Sequence, residues 1–197
     1  MNNPISFSQL RKELDDAITF AEFEKAEQLT DQGLNYAHLQ ENLGEIMYFK
    51  AQHAILDENF VLAIRFLNQA VEYNPFDGAA YNDMALCHIE NGGSMYETMA
   101  YFDKGIDVEP DYATVYHNKG WFLNQIGRSQ EAIVYLNKAL QIEPDRAVTY
   151  ENLADVYLKL GETTRAIESY QISLRLLDQS YPEIQKQITE KIKTLMK

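Results

Sequence analysis

Tyr81, Tyr116 and Tyr150 recur at separations of 35 and 34 residues, in step with Pro75, Pro110 and Pro144 and with Ala63, Thr98, Ala132 and Ala166. A fixed period in that range narrows the fold sharply. Each copy is a small supersecondary unit that leaves an apolar face open, and only the next copy can cover it. A chain built this way presents an extended surface and not an enclosed active site.

Within a copy the apolar spacing is helical. Tyr150, Leu153, Ala154 and Tyr157 fall at i, i+3, i+4 and i+7, and Ala166, Ile167, Tyr170 and Leu174 repeat the stripe after a break. Two amphipathic helices, A and B, are therefore expected per copy. Gly92, Gly127 and Gly161 sit where helix A must stop, a place that calls for a left-handed residue. After helix B come Asn74-Pro75-Phe76-Asp77, Glu109-Pro110-Asp111 and Glu143-Pro144-Asp145. Proline ends one helix there and the aspartate is expected to cap the next. Small residues at Ala51, Ala85, Gly120 and Ala154 are expected to face those at Ala63, Ala132 and Ala166, letting the paired helices approach closely.

The prolines set copies at 44–77, 78–112, 113–146 and 147–180, with a worn copy at 7–40 and a short tail at 1–6. The second full copy is one residue longer at Gly92-Gly93-Ser94, and Glu41-Asn42-Leu43 are extra after the worn one. In the worn copy Glu13, Leu14 and Thr30 fall at core positions. From Glu183 onward Ile184, Ile188, Ile192 and Leu195 form one stripe, which suits a C-terminal capping helix within 181–197.

The order of these residues resembles the tetratricopeptide repeat (TPR) family, most clearly at Tyr116, Gly120, Leu123, Gly127, Ala132, Leu136, Ala139 and Pro144. The resemblance covers 7–180 and implies an all-α solenoid of about five helix-turn-helix units. Lys50 and Lys119 depart from the pattern at leucine positions, His88 at a tyrosine position and Gln179 at the closing proline. In proteins similar to this one the A helices line a concave groove. The matching positions include Tyr48, Phe49, Gln52, Asn82, Asp83, Leu86, His117, Asn118, Trp121, Asn124, Gln125, Glu151, Asn152 and Asp155, with Leu158 and Lys159 beyond them. Asp83, Asn118 and Asn152 share one position in successive copies, a polar ladder suited to a peptide backbone because a carboxamide both donates and accepts. Trp121 is the expected anchor, beside Tyr48 and Phe49. The lysine and asparagine clamp with which one TPR subgroup holds a terminal carboxylate is not matched.

Charge and composition narrow the functions further. Residues 1–112 hold 6 Lys and Arg against 20 Asp and Glu, whereas 113–197 hold 11 against 10. That field repels nucleic acid and anionic lipid and leaves neutral to basic polypeptide as the expected partner. No stretch reaches the roughly 18 apolar residues of a membrane span. The start of the chain lacks the pattern of a secretory signal, and Cys87 is the single cysteine, so the cytoplasm is the expected compartment. His38, His53, His88 and His117 form no metal or catalytic motif. His53 and Cys87 read as interior residues, and His117 reads as a hydrogen-bonding partner for Asp83. No catalytic residue, cofactor or metal is expected. The function expected is an adaptor that holds a peptide or helix of another protein. Two alternatives stand beside it: a chaperone for a secreted or membrane-destined client, and self-association with Met1–Ser6 entering a neighbour's groove.

Overall fold

The computed structural model describes residues 6–197, and among them are eleven α-helices and no strand. The fold is an all-α solenoid of helix pairs, in two compact units that divide between Glu109 and Pro110. The segment Met1–Ser6 lies almost wholly outside the described residues.

The first unit holds α1 (Phe7–Thr19), α2 (Phe23–Leu39), α3 (Leu43–Leu56), α4 (Phe60–Tyr73), α5 (Gly78–Glu90) and α6 (Met95–Val108). Each helix packs on the one before it. Connections of a few residues make neighbours antiparallel, so all A-to-B turns lie at one edge of the unit and all B-to-A turns at the other. Every start but that of α2 is capped by a side chain: Ser6, Asn42, Asn59, Asp77 and Ser94 accept from the amides of Gln9, Glu45, Leu62, Ala80 and Glu97. Ser94 also donates to the Glu97 carboxylate, joining the cap to the first helical turn.

The second unit holds α7 (Ala113–Gln125), α8 (Ser129–Ile142), α9 (Ala147–Lys159), α10 (Thr163–Leu176) and α11 (Pro182–Leu195). α7 packs on α8, α8 on α9, α9 on α10 and α10 on α11. Its helix starts have no side-chain cap. The expectation for the aspartates therefore holds at Asp77 and fails at Asp111 and Asp145. The reason is register: Asp77 stands two residues after its proline, whereas Asp111 and Asp145 stand one after theirs, leaving Tyr112 and Arg146 at the cap position. α11 turns Ile188 and Ile192 inward.

Ala51, Ala63, Ala85, Ala132, Ala154 and Ala166 are all fully buried, as the close-approach pattern requires. A Cβ on Gly120 would lie 2.7 Å from Leu136 Cγ and 3.2 Å from the Ala132 carbonyl oxygen. In α1 the buried face is Leu10, Leu14 and Ala17, so Glu13 turns away from the core and accepts from Gln9. Thr30 is buried as expected and satisfies its hydroxyl on the Ala26 carbonyl.

Gly92, Gly127 and Gly161 adopt φ of 69°, 82° and 76°, the left-handed turns read from the sequence. Glu58 holds the matching turn between α3 and α4 at φ 55° with a full side chain. The Cβ of an L-residue is strained there by about 1–2 kcal/mol. Glu58→Gly is expected to raise the free energy of unfolding by about 1 kcal/mol after glycine's own entropy cost. Urea denaturation reads this as a higher midpoint, and an unchanged or lower one would show that this turn is unstrained.

Candidate functional site

Two polar networks occupy the A helices of the first unit. Arg11 on α1 donates from both terminal nitrogens to Asp77, at 2.9 and 2.8 Å, and from Nε to Glu45 on α3 at 3.1 Å. Its guanidinium lies 3.5 Å from the centre of the Tyr48 ring. Burial acts to lower the Arg11 pKa, but the attraction of Asp77, followed by Tyr48 and Glu45, raises it instead, so the charge is fixed. Burial raises the Glu45 carboxyl above its usual range against the opposing pull of Arg11. Asp77 serves two purposes, since the carboxylate that holds Arg11 also caps α5.

The second network centres on Asp83, which accepts from Gln52 at 2.6 Å and from Asn82 at 3.1 Å. Burial pushes its carboxyl up to about 6, although both hydrogen bonds pull it down. Cys87 is buried one turn along α5, and burial followed by the nearby Asp83 pushes its thiol up to about 12. His53 is only half-buried and meets Asp31 at 3.1 Å, so it is not the interior residue expected. Among the described residues no group of three His, Cys, Asp or Glu is arranged to hold a metal.

Burial removes several expected groove residues of this unit from the surface. Phe49 is fully buried, its ring pressed where a Gly33 side chain would stand, and Tyr48 is covered by Arg11. Both were expected as exposed aromatics. They turn inward because α1 and α2 present Phe7, Gly33 and Arg11 to α3. Gln52 and Asn82 are buried donors to Asp83, while Asp83 and Leu86 are half-buried.

In the second unit, α7 and α9 form a cleft of about 460 Å³ lined by Trp121, Asn124, Gln125, Asn152, Asp155, Leu158 and Lys159. All seven stand at expected groove positions, brought together by two A helices. Around the cleft the charges are already engaged. Lys159 donates to the Asn124 carbonyl oxygen, and the Asn124 carboxamide accepts from Ser129. Lys191 on α11 lies 3.0 Å from Glu151 and 3.6 Å from Asp155, and the Tyr170 hydroxyl donates to Asp155. Burial opposes the charge on Lys191, but Glu151 and Asp155 outweigh it and raise its pKa.

His117 is buried behind this cleft. Asn152 donates to its Nε2 at 3.2 Å, because an amide N–H cannot accept, and the ring proton on Nδ1 goes to Thr149 Oγ1 at 2.9 Å. Burial, with Arg146 adding to it, lowers its pKa to about 3, so the ring stays neutral. Both ring nitrogens are thus engaged, which leaves none for the expected pairing with Asp83. Asn152 keeps its oxygen and one N–H for a ligand, a smaller offering than a free carboxamide. Asn118 is half-buried, and Gln125 is exposed.

Models of the tetratricopeptide repeat match residues 101–134 and 123–186. The chain is a tetratricopeptide repeat protein. Over 71 residues it is 35% identical to the SGT1 homolog of Oryza sativa subsp. japonica, a stretch that covers 36% of this chain and only 19% of that relative. Among solved structures it resembles TTC0263, a thermophilic TPR protein of Thermus thermophilus, at 15% identity and a TM-score of 0.69, covering 97% of this chain and 99% of the other. It also resembles YrrB, described as a TPR protein with an unusual peptide-binding site, at 14% identity and a TM-score of 0.58, covering 88% of each chain. At these identities the two structures share its fold.

Three contacts of this TPR chain lay beyond sequence reading: Arg11 to Asp77, Lys191 to Glu151 and Asp155, and Thr149 to His117. Glu151 and Asp155, one turn apart on α9, could have pointed to a cation on a facing helix, here α11.

The raised Asp83 pKa fixes a sign. The folded state holds the proton more tightly than the unfolded chain, so the contribution to stability is full below about pH 4 and is lost as pH rises to about 6. Relative to Asp83→Asn, the natural protein is expected to lose about 1–3 kcal/mol between pH 4 and 7. Urea unfolding of both proteins across that range measures it, and parallel curves would show that Asp83 titrates normally.

Proposed function

We propose that this TPR protein is an interaction module that holds a peptide or helix of a partner protein in the cleft between α7 and α9. The observation that carries this reading is the lining of that cleft: one large aromatic ring, an apolar side chain at Leu158 and carboxamides at Gln125 and Asn152. Aromatic anchors in concave, partly desolvated sites supply most of the energy at protein interfaces. Carboxamides add hydrogen bonds to peptide backbone without selecting side chains. The likeness of fold to YrrB supports a peptide as the ligand class.

Electrostatics support a partner that is neutral where it enters the cleft and basic outside it. Glu151 and Asp155 are offset by Lys191, and Lys159 is tied to a backbone carbonyl. The long-range field comes from residues 1–112, where acids exceed bases 20 to 6. Such a field speeds encounter with basic chains and weakens with salt. The chemistry of the reading is recognition and not turnover.

Trp121 is the sole tryptophan, so its emission reports on the cleft directly. Addition of a partner recovered by affinity capture is expected to shift that emission. Trp121→Ala is expected to weaken the complex by about 2 kcal/mol or more, roughly thirtyfold in affinity. Equal recovery of every partner by natural and substituted proteins, with unchanged emission, would place binding on another surface.

A further inference from the structure

The first unit carries a second surface, at the edge where its B-to-A turns lie. Leu39 at the end of α2 is 80% exposed, Phe76 between α4 and α5 is 73% exposed, and Leu43 and Tyr73 are both about half exposed. They share this edge because α2 ends, α3 begins and α4 ends there. A Cβ on Gly44, beside Leu43, would lie 3.4 Å from the Tyr73 Cβ. The matching turn between α8 and α9 reads Glu143-Pro144-Asp145-Arg146 and has no such cluster. Large apolar side chains gathered on an otherwise polar surface mark interaction sites.

Phe76 is held outward by its turn. Its amide donates to the Asn74 side chain at 3.3 Å, and the Asp77 amide donates to the Asn74 carbonyl oxygen at 3.3 Å. Asp77 is then pinned by Arg11 and by the cap it gives to α5. Phe76 is thus displayed on a turn fixed on both sides, which lowers the ordering cost of a contact. Charge identifies the occupant. Residues 38–45 and 72–78 contain no Lys or Arg. Arg11, the cation that reaches this region, is committed to Glu45 and Asp77. Glu41 and Glu72 are exposed at the border and make no ion pair among the described residues.

We propose that Leu39, Leu43, Tyr73 and Phe76 dock a basic amphipathic helix of a partner protein, whose apolar stripe covers the cluster and whose Lys or Arg residues meet Glu41 and Glu72. This surface lies on the first unit and is independent of the Trp121 cleft. The probe is a synthetic helical peptide of leucine and lysine at amphipathic spacing, titrated by calorimetry in low salt, with a leucine and glutamate peptide as control. The lysine peptide is expected to bind the natural protein, weaken with added salt, and bind the double variant Leu39→Ser, Phe76→Ser at least tenfold more weakly. Trp121→Ala is expected to leave this binding unchanged, which separates the proposal from the cleft reading. Both serine sites are exposed, and circular dichroism checks that the variant keeps its helices. A third variant, Glu41→Gln with Glu72→Gln, is expected to lose the salt dependence. No binding of the lysine peptide, equal binding by the serine variant, or equal binding of the glutamate peptide would overturn the proposal. So would sedimentation showing a dimer that the serine variant disperses, since a second copy would then be the occupant.

Discussion

Where the two helices of a repeat cross, the facing alanines are fully buried, and at Gly120 the Leu136 side chain and the Ala132 carbonyl of α8 stand where a Cβ would go. That proximity sets the distance between helix layers, and with it where every outward A-helix side chain points. Interiors packed this tightly transmit any added volume to their neighbours. The cleft of the second unit depends on it directly, because Trp121 follows Gly120 on α7. A change that pushed α7 from α8 would move the anchor with it.

Close packing brings polar groups inward as well, and each unit handles them differently. In the first, Arg11 joins α1 to α3 and to the start of α5, and Gln52 and Asn82 satisfy Asp83. In the second, a neutral His117 links Thr149 and Asn152, and Lys191 ties α11 to α9. Buried polar groups carry a large penalty when unpaired, so these contacts hold the A helices in register. They also decide what stays available to a ligand. The first unit uses most of its A-helix polarity internally and leaves apolar groups at its edge, while the second keeps an open cleft.

The fold was legible because repetition states each instruction several times over. Tyrosine, alanine, glycine and proline recur at one spacing, and the left-handed turns at Gly92, Gly127 and Gly161 follow from it. Single-copy features were harder to read. Glu58 carries the same turn without glycine, because the helices on both sides fix its backbone against its preference. Asp111 and Asp145 look like caps yet fall one residue early. Periodicity tells which helical face a residue occupies, but not what the neighbouring helix brings to that face. Tyr48 and Phe49 lie at groove positions and are nonetheless covered by Arg11 and by the ring contact at Gly33. Trp121, Gln125, Asn152 and Asp155 meet at one cleft because α7 and α9 leave that face open.

The most direct test of the packing claim is the unfolding free energy of Gly120→Leu, measured in urea at neutral pH. Overpacking against Leu136 and the Ala132 carbonyl is expected to lower it by about 3 kcal/mol, with a matching shift in Trp121 emission. A substituted protein with unchanged stability and unchanged emission would show that α7 and α8 have room to spare, and that close approach does not position the cleft.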